Sequence, residues 1–444
     1  MMNQDSSTNE NTDDKNTSDE NNNNNDDDNF VMPSINYNSE VSMVHSVCGT
    51  TLPPKPPISR SGSGSLKRTD ADIHKAVDMW CNKPEEALEL YGNINDWDTS
   101  EVTNMKDLFK NRSFEASLSK WDVSNVKTME NCFCECENFD LNISGWRTTN
   151  CENFSHLFDD CKVFDLDLSD WDTRHVTDMS YCFAHCCVYN KPVDSWNVSK
   201  VTDFTCMFYN CINFNQRLDS WDTSSAKLMT SMFSLCIRFN QPVNHFITNK
   251  VTSMEGMFIK CSKFNQPLDN WDTSNVTNMK RMFLSCCDFN QPLTNFNTKK
   301  VTSMESMFSE AHIFKQNLSN FDTSNCENMA KMFDSAVSFH GIGVEIDEWK
   351  VDKVKTMEGM FRSSSFDQPL IGWTTKNCQN MKEMFKKNVR FNQKLDSFDV
   401  SHLKKEQMEN MFLLCTEFLK GEGRWKLFSK NPVREKFKNG IPQS

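Results

Sequence analysis

Large apolar residues recur along the chain at a nearly fixed interval. An aromatic stands at Trp97, Trp121, Trp146, Trp171, Trp196, Trp221, Phe246, Trp271, Phe296, Phe321, Trp349, Trp373 and Phe398, spaced by 24 or 25 residues except for 28 between Phe321 and Trp349. With that aromatic as position 0, Phe holds position 12 from Phe109 to Phe385, Thr or Val position 2, mostly Val position 5 and mostly Met position 8. In the last repeat a two-residue insertion near Lys405 moves the Phe to 412. Such regularity marks a repeat architecture, because one short unit cannot bury its own apolar face and must stack on its neighbours.

The unit is clearest in FNQPLDNWDTSNVTNMKRMFLSC, residues 264–286. Steps of three and four through Val276, Met279, Met282, Phe283 and Cys286 predict a helical turn, whereas the β-branched residues of WDTSNVTNM predict a short extended segment. Pro267 forbids helix in FNQPL, which is read as a second extended edge. The predicted fold is an α/β solenoid of about 13 repeats of ~25 residues over 97–418, each with short extended segments and a helical turn. Ile73, Val77, Trp80 and Cys81 fall at helical spacing behind Asp70 or Asp72, and Pro84 opens a second helical piece, so 70–96 is read as a helical N-terminal cap. Gly341 and Gly343 in the longer interval predict a bulge. Residues 419–444 read as a basic C-terminal cap, 52–69 as a Pro/Gly/Ser linker and 1–51 as a disordered, acidic, Asn-rich tail.

Charge sharpens that division. The net charge is −13, but residues 1–30 carry nine acids against Lys15 alone, which leaves −5 on the other 414 residues and no basic footprint for nucleic acid. The first residues lack a charged start followed by an apolar run, and no stretch of about 18 apolar residues occurs, so neither export nor membrane insertion is expected. An intracellular, cytoplasmic protein with its 19 cysteines reduced is the expectation.

Candidate chemistry is sparse. Cys136, Cys161, Cys186, Cys211, Cys236, Cys261 and Cys286 share position 15, read as small buried hydrophobes because Ala311, Ala336 and Ser364 replace them elsewhere. In Cys132, Cys134 and Cys136, positions 11 and 15 are expected to face inward and position 13 outward, so the three do not converge on an ion. The nine histidines show no acid or Cys at a fixed offset and read as solvated surface. No phosphate-cradling, zinc-protease or nucleophile-elbow motif is present, and no catalytic residue, metal or cofactor is expected. The Pro53, Pro54, Lys55, Pro56, Pro57 segment reads as a stiff spacer. One outward stripe stands out: Thr103, Thr177, Thr202, Thr252, Thr277 and Thr302 share position 6, and Lys200, Lys250 and Lys300 lie at position 4. Stacking would line these up as a partner-binding face.

The unit FNQPLDNWDTSNVTNMKRMF resembles the ~25-residue repeat of the BspA-like leucine-rich-repeat surface proteins, found in mycoplasma and other bacterial lipoproteins, in protists and in large viruses. The segment from AVDMWC through YGNINDWDTSEVTNMKDLF, residues 76–109, is similar to the lead-in of the family's microbial eukaryotic members. The resemblance covers roughly residues 71–418. It implies a right-handed, leucine-rich-repeat-like solenoid without catalytic residues and, for bacterial members, surface adhesion or protein binding. The expected function is a non-catalytic scaffold for a protein partner of unspecified identity, with a secreted or surface-exposed adhesin as the alternative.

Overall fold

The computed structural model describes residues 65–114, 116–136 and 142–420. The tail expected over 1–51, the linker up to 64 and the C-terminal cap from 421 lie outside these residues.

The repeats are preceded by a small cap that starts earlier than expected. Strand β1 (Lys67–Thr69), inside the stretch read as linker, pairs parallel with β2 (Asp98–Glu101) of the first repeat. The reason is Arg68. Its side chain is 2% exposed, its guanidinium lies 4.9 Å from the Tyr91 ring and 5.4 Å from the Trp97 ring, and it pairs with Asp72 at 2.7 Å. A charge this buried needs such a partner. Helix α1 (Ile73–Asn82) buries Ile73, Ala76, Val77 and Trp80, one stripe at helical spacing. Helix α2 (Pro84–Tyr91) begins on a proline that lacks the amide a first turn cannot use, places Glu85 and Glu86 at its positive end, and stops at Gly92 with φ 73°.

Each repeat then follows one hydrogen-bonding scheme. Position 7 forms a single parallel bridge to its equivalent in the next repeat, in an unbroken series from Asn104↔Thr128 to Thr356↔Asn380. From there the amides alternate. In the repeat of Trp271, the N–H groups of Met279, Arg281, Phe283 and Ser285 donate to Ser303, Glu305, Met307 and Ser309 of the following repeat, whereas those of Met282, Leu284 and Cys286 donate three residues back. This differs from the predicted helical turn. Among the described residues α-helix occurs in the cap and at α3 (Thr416–Lys420), not inside a repeat. Positions 10 and 14 take left-handed backbone in all thirteen repeats, from Asp107 (φ 57°) and Asn111 (φ 52°) to Asn410 (φ 57°) and Leu414 (φ 62°). That breaks any α-helix and leaves consecutive tight turns, whose inward residues also recur every three or four positions.

The core is built from rows of like residues. The thirteen position-12 rings, Phe109 to Phe412, stack 5.3–5.9 Å apart and nearly parallel. A second row at position 18 packs beside it, with Phe289 4.1 Å from Phe283 and 6.0 Å from Phe264. The position-0 aromatics form a third row, in which Trp171, Trp196 and Trp221 donate their indole N–H to the carbonyls of Ile143, Leu168 and Val193 one repeat earlier, at 2.9–3.1 Å. Position 2 is buried even where it is Thr, because the hydroxyl donates to the next repeat's position-1 carbonyl, as Thr273 does to Asn297 at 3.1 Å.

FNQPL is not a strand. Its Asn forms a side-chain ladder: Asn215, Asn240, Asn265 and Asn290 each donate their backbone N–H to the Oδ1 of the preceding asparagine at 2.9–3.0 Å, and Gln266 and Gln291 reach the same residues through Nε2. Side chains there take the place of a backbone ladder. The longer interval forms the expected bulge, with Ile342 74% exposed and the buried Trp349 indole nitrogen lacking the partner its row-mates have.

Candidate interaction surface

Stacking brings most of the stripe together. The backbone N–H of Thr202, Lys227, Thr252, Thr277 and Thr302 each donates to the position-6 carbonyl one repeat earlier, so Thr177 through Thr302 form one continuous ladder. Thr177, Thr252, Thr277 and Thr302 are exposed, Thr202 is half-buried, and Lys200, Lys250 and Lys300 are exposed beside them. Four of the hydroxyls double the backbone contact: Thr177, Thr277 and Thr302 donate at 3.2 Å and Thr202 at 3.4 Å to the carbonyl of the preceding repeat. Lys200 lies 3.1 Å from His175 Nδ1, and Lys300 donates to Asn275 Oδ1 at 2.6 Å. Through Lys127 and Glu152 the ladder runs back to Thr103, whose carbonyl accepts the Lys127 N–H. The N–H and hydroxyl of Thr103 are taken by Asp70 at 2.8 and 2.5 Å. The cap carboxylate thus substitutes for the carbonyl of a preceding repeat.

The position-15 thiols are buried and serve the stack. Cys286 donates to the Phe258 carbonyl at 2.8 Å and Cys136 to that of Phe109 at 3.0 Å, with Cys161, Cys186, Cys211, Cys236 and Cys261 repeating the contact. Burial pushes all of them up, Cys136 to about 11, so they are protonated donors rather than thiolate nucleophiles. Cys134, expected to face out, is buried. Position 13 lies in the turn segment, where the left-handed residues on either side fold it against the neighbouring repeats. Among the described residues no group of three or more His, Cys, Asp or Glu side chains is placed to hold a metal.

The histidines are more engaged than expected. His156 Nδ1 lies 2.9 Å from Asp159 Oδ2, and His185 Nδ1 lies 3.1 Å from Asp159 Oδ1. The His156 ring stacks on Tyr181 at 4.4 Å. Burial alone would raise the Asp159 carboxyl, but the hydrogen bonds and charges of the two imidazoles outweigh it and hold the group below the ordinary aspartate range. His74 and His402 contact the carbonyls of Lys106 and Cys378. The sequence hid these contacts because His156 and Asp159 pair in a single repeat rather than at a recurring offset, and His185 reaches Asp159 from the next repeat.

Comparison with known families places this arrangement. The family described as mycoplasma protein of unknown function, DUF285, matches the chain four times, over residues 83–192, 177–286, 261–343 and 340–441. The chain belongs to the DUF285 family. Its DUF285 segments overlap one another and together take in both the Thr/Lys ladder and the His156–Asp159–His185 cluster. No curated protein and no solved structure shows a significant match to the chain. Among the described residues no helix is long and apolar enough to cross a membrane.

Proposed function

We propose that this DUF285 protein is a leucine-rich-repeat-like solenoid acting as a non-catalytic, cytoplasmic scaffold that holds a protein partner on the face carrying Thr177, Thr202, Thr252, Thr277, Thr302, Lys200, Lys250 and Lys300. The observation that carries this reading is the ladder itself. Backbone hydrogen bonding sets those side chains in register on consecutive repeats, so one rigid row of donors is presented at little ordering cost. The buried, protonated thiols support a structural rather than a catalytic use of the cysteines. The test is affinity capture with the full-length protein, compared with a variant reversed at Lys200, Lys250 and Lys300 to Glu. Reproducible partners lost on reversal support the face as the interface, whereas unchanged capture removes it.

The resemblance of the repeat to BspA-like proteins carries a second reading, a surface-exposed adhesin. Limited proteolysis of intact source cells separates the two. Cleavage of the protein from outside supports the adhesin, and full protection supports the intracellular scaffold.

A further inference from the structure

The middle of the ladder face carries only basic charge at three of its positions. At positions 3, 4 and 6 of the five repeats from Trp196 to Phe296 stand Lys200, Lys227, Lys250, Lys299 and Lys300, with no acid at those positions, in a chain of net charge −13. Glu152 and Glu327 hold position 6 beyond either end of the ladder's Thr177–Thr302 run, so the basic stretch has defined limits. All five lysines are exposed, and among the described residues none of them makes an ion pair. Several lysines elsewhere in the repeats do pair with an acid on the adjoining repeat, as Lys106 does with Glu130, Lys280 with Glu305 and Lys382 with Glu409. The five on the ladder face make no such direct contact, although Asp272 and Asp322 feel the charges of Lys300 and Lys299.

Two residues in the middle of this stretch break the local hydrogen-bonding pattern. Position 1 is Asp or Asn in most repeats, and its side chain accepts the position-3 N–H, as Asp222, Asp272 and Asn297 do for Ser224, Ser274 and Lys299. Position 7 likewise caps position 9, as Asp203 does for Thr205 and Asn278 for Lys280. In the adjacent repeats of Trp221 and Phe246, these places are taken by Leu228, 39% exposed, and Ile247, 43% exposed. Each relinquishes a turn-stabilising acceptor to present apolar surface to solvent, which folding does not require.

We propose that this face, taken as the interface on the scaffold reading above, binds a short extended peptide segment whose acidic residues flank apolar ones. The five lysines supply the complement to the carboxylates, and Leu228 and Ile247 the contacts for the apolar side chains. Five repeats at the ~4.8 Å interstrand spacing span about 19 Å, the length of six extended residues at ~3.3 Å each, with same-side carboxylates about 6.6 Å apart. Positions 3, 4 and 6 carry no aromatic on these repeats, so a stacking platform for bases is lacking, and a long polyanion would run onto Glu152 and Glu327.

The test uses the full-length protein and a fluorescein-labelled heptapeptide, Glu-Glu-Leu-Glu-Leu-Glu-Glu with blocked termini, read by fluorescence anisotropy at low and physiological salt. The expected result is saturable, salt-sensitive binding, absent with the Gln-for-Glu peptide and weakened about tenfold or more by Lys227→Glu with Lys250→Glu. Leu228→Asn and Ile247→Asn should weaken it several-fold while leaving the melting temperature equal or higher, because each restores a turn acceptor. No binding, binding indifferent to the lysine reversals, or equal or tighter binding of a decauridylate or a sulfated glycan would overturn the proposal. If capture still shows lysine-dependent protein partners when the peptide fails to bind, the scaffold reading stands and only the acidic-peptide assignment falls.

Discussion

His245 Nε2 lies 2.8 Å from the carbonyl of Leu218, the acceptor that an indole at position 246 would reach. The repeat of Phe246 has no indole, and the residue before the ring supplies the donor instead. The same exchange recurs at Phe321, where Asn320 Nδ2 donates to Leu293 at 3.0 Å, and at Phe398, where the Ser397 hydroxyl donates to Leu370 at 3.0 Å. His245→Ala is therefore expected to lower stability by about 0.5–1.5 kcal/mol, and Phe246→Trp in that background to recover part of the loss. Urea denaturation of the three proteins at constant m-value checks it. Recovery that fails despite a native spectrum would mean that the carbonyl does not need this donor.

Much of the fold was legible because burial forces hydrophobicity at fixed positions. Trp271, Thr273, Val276, Met279, Phe283 and Cys286 are all buried, as their recurrence implies. The backbone between them was not legible. Left-handed residues usually announce themselves as Gly or Asn, yet positions 10 and 14 include Tyr181, His185, Leu235 and Lys331, held in place by the crossing hydrogen bonds on either side. The position-18 ring row was present in FNQPL but masked by the proline, which suggested an edge rather than a core contact. For the candidate face, the period located Thr277 and Lys300, but their spacing could not show that Lys227, an apparent interruption, continues the same ladder.

The two sides of a repeat should respond very differently to truncation. Phe283 contacts Phe258, Phe289 and Phe308 within its ring rows and is fully buried, so Phe283→Ala is expected to cost about 3–5 kcal/mol. Thr277 is exposed, and the carbonyl it contacts keeps the backbone bond, so Thr277→Ala should change stability by less than about 0.5 kcal/mol. Denaturation midpoints that fall equally for both would invert the assignment of faces.

Tyr189 takes the position-18 place that Phe214, Phe239 and Phe264 fill in later repeats, and its buried hydroxyl has no hydrogen-bond partner. Removing that oxygen relieves a desolvated polar group without leaving a cavity. Tyr189→Phe is expected to raise stability by about 1 kcal/mol, seen as a higher thermal midpoint. A lower midpoint would show that the hydroxyl is satisfied in solution.

Left-handed backbone gives opposite expectations at two sites. Lys387 (φ 59°) is exposed, so Lys387→Gly relieves steric strain and should stabilise by a few tenths to about 1 kcal/mol after the added freedom of the unfolded chain is counted. At Gly256 (φ 62°) a Cβ would stand 2.7 Å from Ile259 Cδ1 and 2.8 Å from Ser231 Oγ, so both side chains would have to move to admit it. Gly256→Ala should therefore destabilise by at least about 1 kcal/mol. Thermal melts of both variants test the pair, and the same sign for both would refute it.

Acid should weaken the fold where a carboxylate is held by two imidazoles. Asp159 is kept below its ordinary value of 3.8 in the folded protein, so it favours folding wherever it is ionised in the unfolded chain. That contribution is complete above about pH 4 and is lost as the pH falls through the lower folded-state value. Asp159→Asn removes the linkage and leaves one amide oxygen where two carboxylate oxygens had faced the imidazoles. The stability gap between wild type and Asp159→Asn is thus expected to be full at pH 5–6 and to narrow steadily below pH 4. Urea titrations at half-unit pH intervals from 2.5 to 6 measure it, with the protein's other carboxylates cancelling in the difference. A gap that stays constant down to pH 2.5, or widens in acid, would show that the His156–Asp159–His185 contacts do not hold the carboxylate in solution.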